Sequence, residues 1–119
     1  MSSSVVWLDF ENAKLFHFSD DQMKRETLHA SMVEHHTHRL NADEKDNWNF
    51  YEKIALSIES AKRVLILGPG IAKTHFENYM KGKHPLTAKK VVGCESSDHP
   101  TDQQIAAFAM KYFNKQTVR

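Results

Sequence analysis

Val5-Val6-Trp7-Leu8-Asp9-Phe10 is almost continuously apolar, and Lys14-Leu15-Phe16-His17-Phe18-Ser19 follows it across the short break Glu11-Asn12-Ala13. An apolar run of this kind suits a central strand covered on both faces. The aromatic-rich run after the break predicts a second strand. Asp20-Asp21 marks another turn, and Met23 to Met32 then alternates in character. Arg25, Thr27, His29 and Ser31 fall on one face, and Glu26, Leu28, Ala30 and Met32 on the other. That half-polar pattern belongs at a sheet edge. The three runs predict an antiparallel meander joined by tight turns.

Downstream the pattern changes period. Residues 33–43 show no periodicity and read as a loop. Asp43 is placed to cap a helix running to about Ala61, with Trp48, Tyr51, Ile54, Ala55 and Ile58 on its apolar face. Arg63 to Gly68 is a second fully apolar strand, broken by Gly68-Pro69-Gly70. A second helix follows, with Ala72, Phe76, Tyr79 and Met80 on one stripe and Gly82 as its stop. Lys89 to Cys94 reads as a short strand. Thr101-Asp102-Gln103-Gln104 is a capping box, Pro100 is set to staple against Ile105, and the last helix buries Ile105, Phe108, Ala109, Tyr112 and Phe113. The order β-β-β-α-β-α-β-α predicts an α/β fold with a mixed five-stranded sheet. The strand order is 3-2-1-4-5, with helices on both faces and the polar 23–32 strand outermost.

The 119 residues suit one domain spanning 1–119, and 27 of them are Val, Leu, Ile or Phe, enough to build a core. No stretch approaches the roughly 18 apolar residues of a membrane span. The start lacks the charged and apolar regions of a secretion signal. Cys94 is the sole cysteine, so no internal disulfide forms. These features predict a reduced, cytoplasmic domain with no membrane partner. Charge is uneven: residues 62–90 hold seven basic side chains against the single Glu77, a net +6. Such an excess is either a footprint for phosphate binding or a solvated lysine face.

Several residues offer chemistry. Asp9, with Glu52 or Glu59, supplies carboxylates of the kind a two-metal nuclease needs, but no Asp follows the fourth strand. Gly68-Pro69-Gly70-Ile71-Ala72-Lys73-Thr74 departs from a Walker loop, because Ala72 stands where glycine precedes Lys-Thr. What remains is a glycine turn at a helix start with Lys73 in the first turn, a place for an anion. Gly68, Gly70, Lys73, Lys81, Lys83, Lys89 and Lys90 are the expected RNA- or anion-binding residues. His35, His36 and His38 crowd one loop, where they either share a metal or stay solvated. The second reading is adopted, and no metal or cofactor is expected. Cys94, near His99, reads as a buried strand residue rather than a nucleophile.

Three segments, VVWLDFENAKLFHF at 5–18, VLILGPGIAKTHFENYM at 64–80 and VVGCESSDHPTDQQIAAFAMKYF at 91–113, together resemble a bacterial family of translational machinery proteins. That family is similar to the middle domain of archaeal and eukaryotic class-1 release factors and of Pelota. The resemblance implies a ribonuclease H-like three-layer fold and a ribosome or RNA partner. Release factors carry Gly-Gly-Gln in the loop after the third strand. The matching loop here, Val33 to Asp43, has neither residue, so release chemistry is not implied.

Three functions stay open at this point. They are a non-catalytic ribosome- or RNA-binding module, a metal-dependent nuclease or hydrolase, and a protein-interaction domain forming a homodimer through the 23–32 edge.

Overall fold

The computed structural model describes residues 2–20, 22–30 and 48–117, with side chains through Asn114. The strands are β1 (Ser2–Leu8), β2 (Asn12–Ser19), β3 (Gln22–His29), β4 (Arg63–Gly68) and β5 (Val91–Ser96). The helices are α1 (Trp48–Ser57), α2 (Ala72–Lys83), the single turn α3 (Pro85–Ala88) and α4 (Asp102–Thr117). The sheet order is β3-β2-β1-β4-β5, as the apolarity ranking predicted. β1 pairs antiparallel with β2 and parallel with β4, and β4 pairs parallel with β5.

Alternation along the strands sends side chains to two separate cores. On one face Val6, Leu8, Leu15, Val64 and Ile66 meet Tyr51 and Ile54 of α1 and Phe76 and Met80 of α2. On the other, Val5, Trp7, Phe16, Leu65 and Leu67 meet Ile105, Ala109 and Phe113 of α4. The molecule is thus three layers, with β1 and β4 buried on both sides. No helix among the described residues is long and apolar enough to cross a membrane.

The structure corrects several boundaries. β1 starts at Ser2 rather than Val5: Ser4 is buried, and its hydroxyl pairs with His17 Nδ1 at 2.8 Å. Ser3 Oγ accepts from Arg63 Nε at 3.2 Å. Partners inside the sheet let a polar tripeptide enter a core strand. Gly82 lies within α2, which His84 closes through its N–H to Met80 O. The turn α3 fills the span before β5, so β5 begins at Val91 instead of Lys89. Phe108 is 43 % exposed because it flanks, rather than faces, the buried stripe of α4. The capping box forms: Gln104 N–H donates to Thr101 Oγ1 at 3.1 Å, and Thr101 N–H to Gln104 Oε1 at 2.9 Å. Asp43 and the 31–32 end of the third strand lie outside the described residues.

Gly68 shows why the turn after β4 has its sequence. A Cβ there would collide with the backbone carbonyl of Leu8, whereas one at Gly70 would meet open space. Gly68→Ala is therefore expected to cost about 1–3 kcal/mol through backbone displacement. Gly70→Ala should stay within about 0.5 kcal/mol. Urea denaturation of the two variants checks this, and equal stability would disprove the close approach.

Candidate functional site

The turn Gly68-Pro69-Gly70 sits at the carboxyl end of β4. Gly68 O accepts from Ser97 N–H at 2.8 Å, which ties the turn to the segment after β5. Lys73 stands in the first turn of α2, and its Nζ donates to Gly70 O, closing the turn upon itself. Lysine and turn therefore form one unit.

The other expected basic residues lie elsewhere. α2 runs back along the sheet, and its 12 residues span roughly 18 Å. Lys81 and Lys83 occupy its last turn. Lys89 and Lys90 precede β5, where Val64 N–H donates to Lys90 O at 3.0 Å beside the start of β4. So Gly68, Gly70 and Lys73 are at one end of the sheet, and Lys81, Lys83, Lys89 and Lys90 at the other. The expectation of one basic face around the glycine turn is corrected by helix direction.

Lys62 and Arg63 join the second group. Three of its members have internal partners: Lys90 Nζ donates to Glu59 O at 2.7 Å, Arg63 Nη1 to Phe113 O at 2.9 Å, and Lys83 lies 5.1 Å from the Trp48 ring centre. Lys62, Lys81 and Lys89 are exposed. Lys81 and Lys83 in the last turn of α2 also complement the helix dipole there.

The carboxylates proposed for a nuclease do not converge. Asp9 follows the carboxyl end of β1. Its Oδ1 accepts from the N–H groups of Glu11 at 2.9 Å and Asn12 at 2.8 Å, so it shapes the β1–β2 turn. Glu52 sits on α1 near the opposite end, accepting from Tyr79 Oη at 2.5 Å and His84 Nε2 at 2.7 Å. Glu59 shares that end through its carbonyl bond to Lys90. Among the described residues no group of three His, Cys, Asp or Glu is disposed to hold a metal ion. His35, His36 and His38 lie outside the described residues.

The bonds to Glu52 shift both partners' chemistry. Hydrogen bonds from His84 and then Tyr79 hold the Glu52 carboxyl below its usual range. Burial, reinforced by the bond to Glu52, pushes Tyr79 up to about 12. Burial raises the Cys94 thiol, and the charge of Glu77 adds to the effect, so the thiol stays protonated at neutral pH.

A network that periodicity did not reveal joins Ser4, His17, Glu26 and Ser57. His17 Nε2 meets Glu26 Oε1 at 3.2 Å, and Ser57 Oγ donates to Glu26 Oε2 at 3.3 Å. Ser-His-Glu is the connectivity of a hydrolase, yet Ser4 is 2 % exposed and no carbonyl can reach it. The network clamps three strands to α1. Its signal in the sequence was only a polar residue at each inward position.

No protein-family model and no curated protein matches this chain. Its fold does match solved structures. Pelota of Archaeoglobus fulgidus aligns with a TM-score of 0.65 at 16 % identity, over 92 % of this chain and 31 % of that one. The archaeal translation termination factor aRF1 gives 0.66 at 15 %, over 98 % and 35 %. Dom34 of S. cerevisiae, described as a translation termination-like factor interacting with Hbs1, gives 0.58 at 15 %, over 92 % and 32 %. This chain spans about a third of each neighbour's length. The likeness supports a release-factor-like domain by fold. These three are archaeal and yeast proteins, and they lend no support to the bacterial attribution.

The lowered Glu52 carboxyl has a consequence for stability. It stabilises the fold above the ordinary glutamate value near 4.5, and that contribution disappears as pH falls through the folded value. Solvent screening keeps it modest. Glu52→Gln should flatten the acid limb of stability measured by urea titration between about pH 5 and pH 3. An unchanged pH dependence would show that the His84 and Tyr79 bonds do not act on folding.

Proposed function

We propose that the chain is a non-catalytic, translation-associated domain of the cytoplasm, folded as one unit over 1–119, that binds RNA or the ribosome. The observation that carries this reading is the gathering of Lys62, Lys81, Lys83, Lys89 and Lys90 at the amino end of β4 and β5. They come from three separate segments, and the fold that gathers them is shared with Pelota and aRF1. Charge brought together from separate segments is what phosphate backbones respond to. Lys73, bonded to its own turn, is the lesser contributor.

Fluorescence anisotropy with ribosomal RNA fragments at several salt concentrations tests the reading. Affinity should fall with salt, with a log–log slope of roughly −0.7 per phosphate contact on single strands. Lys81→Glu with Lys89→Glu should weaken binding about tenfold or more, and Lys111→Glu on α4 far less. Equal losses, or no binding at low salt, would leave the protein-interaction reading ahead. That second reading rests on the edge position of β3, and sedimentation of the free protein as a dimer would support it.

Residues 33–43 carry no Gly-Gly-Gln. Peptidyl-tRNA hydrolysis on ribosome complexes should therefore stay at the buffer rate. Turnover above it would overturn the non-catalytic assignment.

A further inference from the structure

The sheet ends in two unlike edges. β3 displays Lys24, Arg25 and Glu26 in succession. Charges set along an edge are one way in which sheets resist pairing with another chain. β5, the opposite edge, has no such guard over Val91-Val92-Gly93-Cys94, which carries neither charge nor proline. An open, uncharged edge is a template for a further strand.

The register of β5 shows which of its backbone groups are open. Gly68 lies opposite Ser96, and Gly68 O accepts from Ser97 N–H at 2.8 Å. In a parallel ladder that bond turns the N–H and C=O of Ser96 itself away from β4. Cys94, opposite Ile66, is two residues earlier and turned the same way. Among the described residues no backbone group pairs with the outward N–H and C=O of Cys94 and Ser96. Beside them on the α4 face, Phe108 is 43 % exposed, its ring centre 6.0 Å from that of Tyr112, whose hydroxyl donates to Val92 O at 3.2 Å. With Leu67, Pro100 and Ile105, Phe108 lines a cavity of about 330 Å³ that reaches Ser96 and Ser97.

The charges along this edge select one occupant. Lys89 and Lys90 stand immediately before β5, Glu95 is near its end, and Asp98, with a side chain 95 % exposed, lies just beyond. The edge runs from a basic start through an uncharged middle to an acidic end. A strand of the same sequence and opposite direction matches it at both ends, and a second copy of β5 provides one. Set antiparallel with Cys94 opposite its own copy, it places Gly93 opposite Glu95, Val92 opposite Ser96 and Lys90 opposite Asp98. A shift that centred the pair on residue 95 would set Glu95 against itself. On the α2 face Glu77 and Lys73, both close to Cys94, bring one charge of each sign to the seam.

We propose that β5 pairs with β5 of a second copy, giving a twofold dimer with one sheet continuous across both chains. The axis stands perpendicular to the sheet, so the two α4 helices share a face and their Phe108 rings cover the seam. The charged β3 strands become the outer edges, which closes the assembly at two chains. The dimer does not rest on the RNA reading, because its ladder and the acidic half of its seam lie outside the basic end.

Sedimentation over a concentration series, with amide hydrogen exchange read by nuclear magnetic resonance, tests the proposal. A monomer–dimer equilibrium is expected. Exchange at the Cys94 and Ser96 amides should slow as concentration rises, while the β3 amides keep their rates. Ser96→Pro removes an N–H that has no internal partner, a change an edge strand tolerates, and should weaken the dimer about tenfold. Glu95→Lys with Asp98→Lys should also weaken it about tenfold and leave RNA binding undiminished. Adding Lys89→Glu and Lys90→Glu to that variant reverses the polarity at both ends, so the dimer should return while RNA binding is lost. If Ser96→Pro does not fold, this restoration decides. A monomer at every concentration, slowed exchange along β3 instead of β5, or a dimer indifferent to the charge reversals would each overturn the proposal. A β5 dimer in a chain that binds no RNA would count against the RNA reading alone.

Discussion

Burial of β1 on both faces and along both edges is the constraint on which the other elements depend. β1 is bonded to β2 on one side and β4 on the other, and its side chains divide between the two cores. Neither face can be left open without exposing Val6 and Leu8 or Val5 and Trp7. α1 and α2 must therefore cover one side, and α4 the other. The Leu8 carbonyl comes so close to β4 that position 68 admits only glycine. The turn after β4 takes its form from that packing contact, whatever it binds.

The same economy governs the polar groups half-buried between elements. Ser4, His17, Glu26 and Ser57 satisfy one another between the sheet and α1, while Glu52, Tyr79 and His84 do so between α1 and α2. Each set resembles catalytic machinery when read as residue types. Each is a clasp when read with its accessibility and partners, because a buried polar group without a partner is costly. Gly93 has a comparable explanation, since the Tyr112 hydroxyl, bonded to Val92 O at 3.2 Å, occupies the space a side chain would need.

Helix direction decides where charge collects. The lysines between 62 and 90 are one cluster along the chain, but α2 carries its last turn to the end of the sheet opposite its first. Lys73 is left with the glycine turn, and the others gather where β4 and β5 begin. The polar residues beside α4, among them Asp9, Lys14, Arg25, His99 and Asp102, come from the β1–β2 turn, β2, β3, the segment after β5 and the start of α4, segments with no shared charge signature in the sequence.

The sequence by itself determined the five strands, the three longer helices and the order of the strands in the sheet, but not the single turn α3. Apolar runs at 5–10 and 63–68 demanded two covered strands, alternation at 23–32 demanded an edge, and Thr101 to Gln104 capped α4 as the motif required. These are local consequences of side-chain period and backbone geometry. Only the tertiary structure decided which residues meet. Asp9 faces His99 across 90 positions, and Asp9 and Glu52 part to opposite ends. Periodicity reports which face a side chain takes, but not what the chain brings back to that face after a crossover. That depends on element length, direction and register, which become defined only when the whole sheet has closed on its two cores.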